Sequence, residues 1–73
     1  MPTNTTATTA LTCLQQARND LLRAVLPASE AVAVLDGSRA ARARELVSLI
    51  EAAISHAERL ATVVEGDLRA GAR

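Results

Sequence analysis

Residues 47–68 read VSLIEAAISHAERLATVVEGDL, and within them Val47, Ile50, Ile54, Ala57, Ala61, Val64 and Leu68 recur at spacings of 3-4-3-4-3-4. A seam with that period belongs to a helix that packs lengthwise against other helices. Two further apolar columns flank it, Leu46/Ala53/Leu60 and Ala43/Ile50/Ala57/Val64. The combined stripe is wider than one antiparallel neighbour covers, so the surplus face is expected to belong to another chain.

Upstream of this stretch, Asp36-Gly37-Ser38 is the strongest punctuation in the chain. Gly37 suits the left-handed stop of one helix and Ser38 the cap of the next. Ahead of it runs a second heptad, Leu11, Leu14, Arg18, Leu21, Val25, Ala28, Val32 and Leu35, accompanied by an all-alanine column at Ala10, Ala17, Ala24 and Ala31. Alanine at every seventh position lowers one wall of the helix and lets a neighbour approach toward the short end of the usual spacing of about 8–10 Å. Gly37 stands at the midpoint of the 73 residues. Equal arms about a turn describe a helical hairpin.

Two interior points are less decided. Pro27 removes a backbone hydrogen bond and crowds the carbonyl of Arg23. Either the helix kinks there and continues to Leu35, which the unbroken heptad phase favours, or it ends near Leu26 and a short helix opens at Pro27. Gly66 offers a stop to the second helix, with residues 67–73 fraying, although Leu68 keeps the heptad phase beyond it. Residues 1–9 are rich in threonine and read as a flexible tail, with Thr8 or Thr9 as the N-cap. The domain proper then spans residues 10–70, with its turn at 36–38.

Composition restricts the function classes. A chain of 73 residues holds one small core close to break-even against conformational entropy, so it needs a staple. The lone Cys13 excludes a disulfide, and one Cys with one His cannot complete a structural zinc site. Oligomerisation remains. Phe, Tyr and Trp are absent, all eight basic residues are Arg, and they balance eight acids. That disfavours base-stacking platforms and the basic excess of duplex binders, making nucleic acid an unlikely partner. No apolar run approaches the length of a membrane span and no leader is evident. A cytoplasmic protein with no cofactor is the expectation.

Few residues invite a chemical role. Glu51, Glu58 and Glu65 form an acidic column that reads as a solvated face rather than an acid–base pair. His56 shares a column with Leu49 and Val63 at the margin of the apolar stripe, and Cys13 has no His or Asn constellation to activate it. Arg18 interrupts an otherwise apolar seam and must either reach solvent or meet a carboxylate, for which Glu45, Glu51 and Glu58 are candidates. Arg39, Arg42 and Arg44 crowd the start of the second helix, where the macrodipole disfavours cations. A broken local rule marks them as candidates for orienting an acidic partner.

The short polar N-terminal stretch, the Leu-rich helix from Leu11, the central break and the Ala/Leu-rich second helix ending around Leu68–Arg73 together resemble small two-helix accessory proteins of temperate bacteriophages, such as the quorum-sensing anti-activators. That resemblance covers most of the chain at the level of architecture. It implies a dimer that binds and inhibits a host protein, such as a transcriptional regulator, without enzymatic activity. The expectation is therefore an all-α helical hairpin, dimerising into an antiparallel four-helix bundle, that binds proteins. Its oligomer interface would comprise Leu46, Val47, Ile50, Ala53, Ile54, Ala57, Leu60, Ala61 and Val64, and Arg39, Arg42 and Arg44 would orient a foreign partner. The alternatives are a DNA-associated regulator and a purely structural self-assembly module.

Overall fold

The computed structural model describes the backbone of residues 2–71 and the side chains of residues 6–71. Two helices account for nearly all of it, α1 (Pro2–Val34) and α2 (Gly37–Gly71), joined through Leu35 and Asp36. The chain is an all-α helical hairpin. Its Cα atoms fill a rod of 55 × 14 × 12 Å with a radius of gyration of 16.6 Å. A compact chain of this length would have a radius near 11 Å. The elongation follows from helices of this length, each about 50 Å at 1.5 Å per residue, lying side by side with nothing beyond them.

The turn is built as its glycine suggests, with one change. Gly37 has φ of 59°, the left-handed conformation that costs a side-chain-bearing residue strain, and it is the one positive-φ residue described. On the α1 side, the Leu35 N–H donates to the Ala31 carbonyl at 3.1 Å; on the α2 side, the Ala40 N–H donates to the Asp36 carbonyl at 3.4 Å. The second helix is thus entered from Asp36, not from the expected Ser38 cap, because the left-handed step at Gly37 already turns the Asp36 carbonyl into the new axis.

Both arms run further than their local signals suggest. α1 passes through Pro27 without ending, so the reading of a separate helix opening at Pro27 is excluded. It also begins at Pro2, ahead of the expected caps Thr8 and Thr9, so residues 2–9 are helical; Met1 lies outside the described residues. Proline is tolerated in a first turn because the N–H it lacks would be unsatisfied there. Threonine costs a helix only about 0.5 kcal/mol per residue against alanine. The Thr12 hydroxyl is absorbed by donating to the Thr8 carbonyl at 3.1 Å, a back-bond repeated from Thr62 to Glu58 at 2.9 Å. At the other end, α2 passes Gly66 and reaches Gly71, so residues 67–71, expected to fray, are helical; an Arg69–Glu65 ion pair of 3.6 Å spans the glycine.

The two heptads are the seam between the arms. Leu11, Leu14, Arg18, Leu21, Val25, Val32 and Leu35 on α1, and Val47, Ile50, Ile54, Ala57, Ala61, Val64 and Leu68 on α2, are all half-buried. Among the described residues the buried ones are Ala28, Ala40 and Ala43, all alanines toward the turn end of the hairpin. No large side chain among the described residues is fully buried. Two helices meeting along one line cannot enclose a side chain, since each seam residue keeps one flank open.

Candidate functional site

The two open flanks of the hairpin are chemically unlike. In an antiparallel pair, positions just after the seam on one arm share a side with the corresponding positions on the other. Two shallow grooves fix which residues those are. One of about 410 Å³ is lined jointly by Gln15, Arg18, Asn19, Glu58, Thr62 and Glu65, with Leu14, Ala57 and Ala61 at its floor. The second, nearer the turn, is lined by Ser29, Val32, Arg44, Val47 and Ser48. This side is polar, except for the exposed Leu22 and Leu26 on α1.

By the helical repeat, the opposite side carries the Ala10/Ala17/Ala24/Ala31 column of α1 and, on α2, Leu46, Leu49, Ala53, His56, Leu60 and Val63. Leu46, Leu49, Leu60 and Val63 are 49%, 67%, 52% and 58% exposed, and Val34 adds a fifth exposed aliphatic near the turn. These residues align a band of exposed aliphatic surface along one side of the chain.

The expected interface residues therefore fall into two groups. Val47, Ile50, Ile54, Ala57, Ala61 and Val64 are half-buried on the seam with α1, and Ala53 is half-buried at its flank. Leu46 and Leu60 are exposed on the apolar side. Leu49 and Val63 belong with them, as does His56, whose column the sequence marks as marginal to the stripe.

The three arginines at the start of α2 do not form one cluster. Arg42 and Arg44 are two residues apart, which is about 200° around a helix. Arg39 and Arg42 lie at the turn end of the apolar side, Arg39 beside Val34, Leu35, Asp36 and Ser38, whereas Arg44 lines the polar groove. Crowding in sequence has become separation in space.

Arg18 meets one of its expected mates: Nη1 lies 3.7 Å from Glu58 Oε2 across the seam, and Nη2 donates to Asn19 Oδ1 at 3.3 Å. Both charged side chains remain near half exposed, so the pair is screened and contributes on the order of 1 kcal/mol at most. Cys13 is an exposed free thiol. No group of three or more His, Cys, Asp or Glu residues is placed to hold a metal ion among the described residues. None of the helices there is long and apolar enough to cross a membrane. Comparisons with known proteins find no family model that matches the chain and no curated protein or solved structure similar to it.

Proposed function

We propose that the chain is a non-enzymatic protein-binding module, active in the cytoplasm as a homo-oligomer, whose work is done by helix faces rather than by a catalytic centre. The observation that carries this reading is the imbalance between the three alanines the hairpin buries and the seven large aliphatic residues it exposes. Such a surface gains free energy by being covered. The lone exposed cysteine suits a reducing compartment.

The resemblance to phage anti-activators supplies a class of foreign partner, a host regulator that is disabled when bound. Arg39 and Arg44, on opposite sides of the turn end, give that partner two separate points of charge to dock against. The DNA-associated alternative gains nothing from this arrangement, because arginines about 140° apart with zero net charge make no basic stripe. The self-assembly alternative is favoured by the apolar side itself.

Affinity capture on the full chain tests the reading. Wild type is compared with Arg39→Glu/Arg44→Glu at unchanged oligomeric mass. One protein captured in stoichiometric amount by wild type and lost in the variant is the expected result. Capture of nothing by either bait would leave self-assembly as the function.

A further inference from the structure

The apolar side of α2 contains a second seam that the hairpin's own packing leaves unused. Leu46, Leu49, Ala53, His56, Leu60 and Val63 follow one another at spacings of 3-4-3-4-3, the period of a helix–helix contact. This stripe is centred about 110° around the helix from the seam that meets α1, near the right angle at which a helix in a square bundle meets its second neighbour.

The stripe is also its own complement. An antiparallel copy placed with the two-fold axis between Ile54 and Ser55 sets Leu46 against Val63 of the second copy, Leu49 against Leu60, and Ala53 against His56. One layer further out, Arg42 meets Asp67. Symmetry repeats each pairing, so four aliphatic layers surround a smaller centre and an opposite-charge pair closes each end. Sliding by one heptad sets either Arg42 against Leu60 or Asp67 against Leu49. A parallel pairing sets Arg42 against Arg42. One register alone satisfies both the aliphatic and the charged positions, and the alternatives are penalised by the same residues.

The first arm does not obstruct this approach. Its contribution to the same side is the alanine column with Cys13, Pro27 and Val34 beyond it, and Asp20, the acid on that side, is already engaged within α1 by Arg23 at 3.8 Å and by the Gln16 amide at 2.9 Å. The elongated chain as a whole also leaves more surface uncovered than a compact one. The chain exposes 5518 Å², whereas a compact chain of 7.6 kDa exposes about 4300 Å². That surplus exceeds the roughly 800 Å² that each partner contributes to a standard interface. We infer that the apolar side is covered by a second copy of the chain, in an isologous antiparallel dimer with α2 against α2 in this register. The pairing stands whether or not a foreign protein binds.

Sedimentation of the full-length wild type and register-specific cross-linking test it. In a Cys13→Ser background, Leu49→Cys/Leu60→Cys is compared with Leu46→Cys/Leu49→Cys, both oxidised with copper–phenanthroline. Residues 49 and 60 are about 16 Å apart along one helix, so they can be bridged only between copies. The expected results are twice the monomer mass at tens of micromolar and a covalent dimer from the 49/60 variant, at least tenfold over the 46/49 variant. A monomeric wild type, equal cross-linking of both variants, or cross-linking of neither overturns the pairing. A monomer that still captures a foreign protein would remove the dimer and leave the binding function; a dimer that captures nothing would do the reverse.

Discussion

Arg18 reaches across the hairpin to Glu58, 3.7 Å from Nη1 to Oε2, and this is the one inter-arm ion pair among the described residues. It stands at a seam position where every other residue of the α1 heptad is aliphatic. The guanidinium keeps contact with water, its side chain 41% exposed, but Nε is shielded and has no hydrogen-bond partner. A polar group so placed costs stability that a screened pair does not fully return.

Replacing it should therefore help. Arg18→Leu is expected to raise stability by about 1 kcal/mol through the aliphatic area it adds to the seam. Glu58→Gln should shift stability by less than about 1 kcal/mol. Urea denaturation followed by circular dichroism at fixed protein concentration checks both. A loss of stability in Arg18→Leu would mean that the ion pair fixes the alignment of the arms rather than merely occupying the seam.

Gly37, the first residue of α2, and Gly66, inside it, should respond in opposite directions. Gly37 carries φ of 59°, so Gly37→Ala is expected to cost about 1–2 kcal/mol although a Cβ there meets nothing within 4 Å. Gly37→Asn should cost less. Gly66 is helical and its added Cβ also meets nothing, so Gly66→Ala should stabilise by about 0.5–1 kcal/mol. Thermal melts of the three variants give the comparison, and equal signs at the two sites would contradict the assigned backbone.

Ile54 sits near the middle of the α2 seam and, like Leu21 on the α1 seam, is half-buried. Ile54→Asp places a carboxylate on the line where both arms meet, and the expected loss is about 3 kcal/mol or more, enough to unfold so small a chain. Far-ultraviolet circular dichroism should show collapse of helicity together with loss of any oligomer. A variant that stays helical as a monomer would sink the seam as the basis of the fold.

The seam was legible in the sequence because an unbroken 3-4 repeat marks a line along which a helix packs, and each of its residues, from Leu11 to Leu68, is half-buried or buried. The helix ends were not. Thr8, Thr9 and Gly66 carry preferences of about 1 kcal/mol or less, and a long amphipathic arm outweighs these. Arg39, Arg42 and Arg44 crowd together in sequence, but on the helix the step of three keeps Arg39 and Arg42 on one side while the step of two turns Arg44 to the other. The apolar side was visible only as separate columns, because recognising it requires knowing which flanks of the two arms coincide. The grooves around Glu58 and Arg44 supply that knowledge.

The two-residue connection through Leu35 and Asp36 also sets an order of events. Val32 and Arg44, which line one groove near the turn, are twelve residues apart in the chain, whereas the paired Arg18 and Glu58 are forty apart, and loop-closure entropy rises with that length. The buried alanines all lie at the near end. The hairpin should therefore zip from its turn toward its termini and open in reverse, so amide-exchange protection falls steadily along both arms with distance from Gly37.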